Sequence, residues 1–282
     1  MKLMDGRKLA SEMEEGVARE VEKLSKLGIV PSLAVILVGS DPASQTYVGM
    51  KAMACKRVGL TSILHEMPSS VSQKDLLDMI KNLNNNDAID GILVQLPLPP
   101  HLNVDEILEA ILPSKDVDGF HPHNSGRLHS GLSGFVPATP LGIMSLLKHY
   151  KIDLRGKDVT LIGASRIVGR PLSALMLNSG ATVSLCHVDT RDVGLYTKNA
   201  DLVCVAVGKP GLLTASMVKP SAIVVDVGVN RLENGRIVGD VAFEEVAPLC
   251  AYITPVPGGV GPMTIASLLQ NTLKSARARR GL

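Results

Sequence analysis

The chain has 282 residues, a formal net charge of +2, no Trp, three Phe and four Tyr. Such a balance leaves no wide basic field for a polyanion and no aromatic platform for stacking bases, which excludes nucleic acid as a partner. No apolar run reaches membrane-spanning length, MKLMDGRKLA has no apolar signal core, and the four cysteines form no C-x-x-C pair, so the reading is a cytoplasmic protein with reduced thiols and no membrane partner.

Leu9, Met13, Val17, Val21 and Leu24 recur at helical spacing and predict an amphipathic helix over Arg7–Leu27. Leu33–Val38 reads as a buried strand. In the turn Gly39-Ser40-Asp41-Pro42, Asp41 is placed to cap the helix Ala43–Val58 and Pro42 to open it. A strand at Ser62–Met67, a helix at Gln73–Asn82, a strand at Gly91–Leu96 stopped by Pro97-Leu98-Pro99-Pro100, and a short helix at Val104–Ile111 complete one α/β unit. Pro113–Pro140 reads as a long irregular segment. It is a candidate functional loop because it carries Lys115-Asp116-Val117-Asp118-Gly119. A helix at Pro140–Tyr150 leads on to Asp158–Pro171, DVTLIGASRIVGRP.

That stretch reads as strand, glycine turn and helix, an arrangement that aims backbone N–H groups and a positive helix end at a phosphate. Its spacing, G-x-S-x-x-x-G, differs from the common G-x-G-x-x-G. Further strand-like runs at Thr182–Cys186, Leu202–Val207 and Ile223–Val227 give the rhythm of a doubly wound parallel sheet. Pro255–Pro262, PVPGGVGP, then leads into a helix over Met263–Arg277. Lys274, Arg277, Arg279 and Arg280 gather at the carboxyl end of that helix, where its dipole favours cations.

Tyr47 and Lys51 stand four apart on one helix and share a face, a pair able to handle protons. An isolated Y-x-x-x-K is ordinarily just an amphipathic helix with an extended lysine. The same string in short-chain dehydrogenases follows the glycine turn, whereas here it precedes it, which argues against that class. Gln95 sits at the carboxyl exit of a strand, where α/β folds place ligands, although a capping residue would look the same. Turn chemistry alone would explain Asp116 and Asp118. His121 and His123 lack a third ligand at metal-binding spacing, so no metal is expected. Ser133 and Ser165 lack the G-x-S-x-G elbow.

Five ordered motifs nevertheless combine: Ser44-x-x-Tyr47-Val48-x-x-Lys51, Val94-Gln95-Leu96-Pro97-Leu98-Pro99, Lys115-Asp116-Val117-Asp118-Gly119-Phe120, Gly163-x-Ser165-x-Ile167-Val168-Gly169-x-Pro171, and Pro255–Thr264. Together they resemble the bifunctional methylenetetrahydrofolate dehydrogenase/methenyltetrahydrofolate cyclohydrolase family over essentially the whole chain. The resemblance implies two α/β domains: a folate-binding catalytic domain (1–139, plus the returning helix 263–282) and a Rossmann-like NAD(P)-binding domain (140–262). It implies a homodimeric enzyme of one-carbon metabolism, serving purine and amino-acid biosynthesis, that oxidises methylenetetrahydrofolate with NADP and hydrolyses the product to 10-formyltetrahydrofolate. The competing readings are a monofunctional dehydrogenase of the same family and a non-catalytic folate- or nucleotide-binding protein on this fold.

Carried over by position, the resemblance makes Lys51 the catalytic lysine, with Tyr47 beside it and Gln95 contacting it. Asp118, Tyr47, Pro257 and Gly258 would hold the substrate, and Gly163, Ala164, Ser165, Ile167, Val188, Arg191 and Val229 the cofactor. The chain departs from the family pattern at Ala164, where arginine is common, at Val188, where serine is common, and at Ala138, where cysteine is common. The expectation is NADP, with NAD as the alternative, and Arg191 rather than Arg166 on the ribose phosphate.

Overall fold

A computed structural model describes all residues, Met1–Leu282. In chain order the elements begin with β1 (Lys2–Leu3), α1 (Gly6–Ser25), β2 (Ser32–Val38), α2 (Pro42–Val58), β3 (Thr61–Met67), α3 (Gln73–Asn85) and β4 (Gly91–Val94). Next come α4 (Val104–Glu109), α5 (Pro122–His129), α6 (Ala138–His149), β5 (Asp158–Ile162), α7 (Gly169–Asn178), β6 (Thr182–Cys186) and α8 (Gly194–Thr197). The chain ends with β7 (Leu202–Val205), β8 (Ile223–Asp226), β9 (Asn230–Arg231), β10 (Ile237–Val238), α9 (Phe243–Val246), β11 (Tyr252–Ile253) and α10 (Val260–Ala278).

Two compact units result. The lysine unit comprises Ser11–Arg127, Ser133–Ala138 and Ile265–Leu282; the glycine-turn unit comprises Met1–Ala10, Leu128–Leu132 and Thr139–Thr264.

The lysine unit is built on a parallel three-stranded sheet in the order β3-β2-β4. Central β2 is buried throughout, as its unbroken apolar run requires. Its side chains alternate between two cores. Leu33, Val35 and Leu37 meet Val17, Val21 and Leu24 of α1, Val48 and Val58 of α2, and Leu268, Leu269 and Leu273 of α10. Ala34, Ile36 and Val38 meet Leu76, Ile80 and Leu83 of α3. The last helix therefore closes one face of this sheet. As read from the turn sequence, the Asp41 carboxylate accepts from Ser44 N (2.8 Å) and Pro42 opens α2.

Two expectations need correction. Pro113–Pro140 is not irregular throughout, because Pro122–His129 is helical. The His121 ring Nδ1 accepts from His123 N at 2.9 Å in the first turn of that helix, and apart from Pro122 its only aliphatic side chain is Leu128, so no apolar period could reveal it. The arginines after α10 also do more than answer a dipole. Arg279 and Arg280 donate to Asp90 Oδ1 at 2.9 and 2.6 Å, and Asp90 is wholly buried. A buried carboxylate needs such partners.

The glycine-turn unit holds a parallel six-stranded sheet in the order β1-β11-β8-β7-β5-β6. Ile162, Val203, Val205, Val224 and Ile253 form its core with Val246. The edge strand β1 is only two residues long and leaves no periodic signal in the sequence. It is held by its pairing with β11, and beside it Asp5 N donates to Tyr150 Oη at 2.7 Å. All four cysteines are buried and unpaired.

Candidate active site

Helix α2 carries Tyr47, 39% exposed, and one turn later Lys51, 9% exposed. Lys51 Nζ donates to Gln95 Oε1 at 2.9 Å. Gln95 follows directly on β4. Its backbone N–H still bonds Ile36 O (2.9 Å), and its Nε2 donates to Leu96 O at 2.7 Å. That second bond orients the amide so that its oxygen faces the ammonium group.

The stretch Lys115–Gly119 resolves residue by residue. Lys115 is 1% exposed, and its Nζ donates to Leu83 O, Asn84 O and Asn86 O at 2.9, 2.8 and 2.7 Å. It satisfies carbonyls that the end of α3 leaves over. Asp116, 2% exposed, accepts from Gly119 N and Phe120 N on one oxygen and from His121 N and Asn124 Nδ2 on the other. Val117 plugs the space that Gly91 leaves open, for a Cβ there would stand 2.7 Å from Val117 Cγ1. Gly119 adopts φ +75°, and a Cβ on it would meet Pro137 N at 2.6 Å. Four residues thus build a rigid turn that presents the fifth, Asp118. Asn271 of α10 locks it from behind, donating to Val117 O and Val136 O at 2.8 and 2.9 Å.

Asp118 and Lys51 sense one another. Burial pushes the Asp118 carboxyl up to about 6, opposed by the Lys51 charge and reinforced by Asp116. Burial likewise pulls Lys51 below its usual range, with the Asp118 and Cys55 charges opposing. Desolvation makes both groups easier to neutralise. Tyr47, Lys51, Gln95 and Asp118 all belong to the lysine unit.

Pro257 and Gly258 belong to the other unit, where Gly258 O accepts from Gly6 N (3.0 Å) and Arg7 N (3.1 Å). The glycine turn lies there too. Gly163 has φ +114°, and a Cβ on it would stand 2.2 Å from Ala206 O; a Cβ on Gly169 would stand 1.7 Å from Gly163 O. Only glycine fits either place, so backbone and helix α7 come close together, the cradle a dinucleotide phosphate requires. Ser165 Oγ accepts from Val168 N and Gly169 N at 3.2 and 3.4 Å, which shapes the turn, while Ser165 and Ile167 remain exposed. Arg170 Nε reaches back to Ala164 O at 3.1 Å. Beyond β6, Val188 is 96% exposed and Arg191 is exposed; after β8, Val229 is 52% exposed. The residues missed from sequence are Asn271, Lys115 as a helix cap, and two buried carboxylates, Asp226 and Asp240. Each sits in a string that ordinary turn or helix chemistry explains.

Two family descriptions match the chain: the tetrahydrofolate dehydrogenase/cyclohydrolase catalytic domain over residues 4–118, and the NAD(P)-binding domain of the same family over residues 137–280. The bifunctional protein FolD of Wolinella succinogenes is 61% identical over 281 residues, covering 99% of this chain and 98% of that one. A crystal structure of the bifunctional FolD methylenetetrahydrofolate dehydrogenase/cyclohydrolase from Campylobacter jejuni superposes with a TM-score of 0.98, at 57% identity and 99% coverage of both chains. The Trypanosoma brucei dehydrogenase-cyclohydrolase, solved with NADP cofactor and an inhibitor, gives a TM-score of 0.95 at 37% identity, covering 99% of this chain and 98% of that one.

Proposed function

The chain belongs to the tetrahydrofolate dehydrogenase/cyclohydrolase family and is a bifunctional enzyme of one-carbon metabolism, and on that premise we propose which of its residues carry each step. The lysine unit binds the folate, and the glycine-turn unit binds the nicotinamide nucleotide. The observation that carries the assignment is the 2.9 Å bond from buried Lys51 to an oriented Gln95, with the desolvated Asp118 carboxyl as its neighbour in charge.

In the first activity the carbon bridging two folate nitrogens loses hydride, and the cation left behind is delocalised over both nitrogens. The bound nucleotide supplies the hydride acceptor. No base is needed, so the protein's task is to hold the folate in place. Asp118, an acceptor when ionised, receives the amino group and ring N–H of the pterin. Tyr47 lines the same face of α2.

In the second activity water adds to the methenyl carbon, forming a C–O bond. Its proton passes to neutral Lys51, whose amine is favoured by burial beside a cationic substrate. The carbon–nitrogen bond then breaks as the new hydroxyl becomes the formyl carbonyl and releases its proton to solvent, and Lys51 returns the first proton to the leaving nitrogen. Gln95 keeps the amine aimed through both transfers.

NADP is the nucleotide in this reading, supported by the NADP complex of the Trypanosoma brucei relative. With Ala164 lacking a side chain to reach the ribose phosphate, Arg191 after β6 supplies that charge. The protein works as a cytoplasmic homodimer. Exposed Met50 and Met53 on α2 and Ile63 and Leu64 on the edge strand β3 offer apolar surface for a second copy; light scattering that returned a single-chain mass would remove this point.

The direct test follows nicotinamide reduction and methenyl absorbance together. Lys51→Met is expected to abolish hydrolysis while dehydrogenase turnover continues and methenyl product accumulates. Equal loss of both activities with folate binding intact would overturn the division of labour.

A further inference from the structure

Two buried carboxylates outside the chemistry above stand at the carboxyl ends of the six-stranded sheet. Asp226 closes β8 and accepts from Gly228 N, Asp240 N and Val241 N at 3.0, 2.9 and 3.0 Å. Asp240 follows β10. One of its oxygens accepts from Val207 N and Gly208 N at 2.8 and 3.0 Å, and the other from Asn230 Nδ2 at 2.8 Å.

Each carboxylate lies in a slot that only glycine leaves open, and the slots are crossed. A Cβ on Gly239 would stand 1.8 Å from Asp226 Oδ2, and a Cβ on Gly228 would stand 2.2 Å from Asp240 Oδ1. The pair therefore ties together the segments that follow β7, β8 and β10. Burial, with the like charge of Asp240 adding to it, pushes Asp226 up to about 6. Ordinary turns are made by Asn or Ser without that penalty.

The backbone held in this way turns apolar side chains outward, for Val207 is 41% and Val229 52% exposed. Ligands of open parallel sheets bind outside the carboxyl ends of the strands, with the ribose of the adenosine end met after the second strand. In the order β8-β7-β5-β6, the second strand of the glycine-turn motif is β6, on one side of β5. The clamped segments lie on the other side, where the far end of the nucleotide must go.

We infer that Asp240 is a positioning residue for the nicotinamide half of the nucleotide, fixing Val207, Gly208 and the segment carrying Val229 as its seat. The inference rests on the reading of this unit as the NAD(P) site. Losing charge-assisted hydrogen bonds to backbone N–H groups translates to roughly ten- to hundredfold in affinity.

The experiment uses the full chain and titrates NADPH by its own fluorescence, in parallel with 2′,5′-ADP, a fragment that has only the adenosine end. Asp240→Ala is expected to weaken NADPH by roughly tenfold or more and to leave the fragment within about twofold. Asp240→Asn is expected to recover most of the affinity: its amide oxygen can take both backbone N–H groups, and Asn230 can turn its own amide to match. Where Asp240→Ala does not fold, Asn230→Ala, which removes only the third partner, is expected to show the same selectivity at about threefold. Equal losses for NADPH and the fragment, or no loss for either, would overturn the inference. A parent protein that binds neither molecule would instead remove the nucleotide reading on which the inference rests.

Discussion

At the scale of single residues, the site pairs two groups that burial pushes toward neutrality, and the two consequences can be separated. The Asp118 carboxyl sits at about 6, above its ordinary value of 3.8. A raised carboxylate pKa means that the folded state binds the proton more tightly than the unfolded chain. The charged form is therefore a penalty on stability above about pH 6, and the penalty fades as pH falls toward 4. Asp118→Asn should then raise the melting temperature at neutral pH by a few degrees, from a gain on the order of 2 kcal/mol. The gain should vanish near pH 4. The same change presents donors to the donors of a pterin, and folate KM or kcat should worsen by roughly 1–3 kcal/mol. A variant that is both less stable and unchanged toward folate would show that Asp118 has been placed wrongly. Arg191 gives a second residue-level outcome. Arg191→Ala should lower the NADP over NAD ratio of kcat/KM by about ten- to hundredfold, whereas Arg166→Ala should change it less.

At the scale of elements, the turn Lys115–Gly119 is held by helices on two sides. Lys115 caps α3, and Asn271 of α10 satisfies Val117 O and Val136 O. Asn271→Ala strands both carbonyls in a buried setting, and a loss of about 2–3 kcal/mol is expected in urea unfolding. Because the same turn presents Asp118, folate affinity should fall along with stability. The strand-and-helix periods were readable in this region, since β2 is an apolar run and α2 opens with its own cap. Helix α5 was not, because PHNSGRLH carries no apolar period and its first-turn N–H is taken by the His121 ring, not by a residue type that marks a helix start.

At the scale of the molecule, α10 is part of the lysine unit's core. Ile265, Leu268, Leu269 and Leu273 are all buried against the β2 face. At about 1.5–3 kcal/mol for each such side chain, their removal is worth about as much as the whole stability of an ordinary domain. Deleting residues 265–282 is expected to abolish soluble folded protein and both activities together, as read from soluble yield and circular dichroism; a soluble, active truncation would contradict this. The sequence by itself determined what local strings and periods encode. It set the α/β rhythm, the glycine turn, the α2 cap and the shared helix face of Tyr47 and Lys51, while Gln95 and Asp118 drew their roles from the family resemblance of the ordered motifs. Only the tertiary structure decided which other distant groups meet: Asp90 with Arg279 and Arg280, Asp226 and Asp240 with the strand ends, and β1 with β11. The physical reason is that a buried polar group takes its meaning from its partner. When that partner is brought in by folding rather than by chain neighbourhood, no local spacing carries the information.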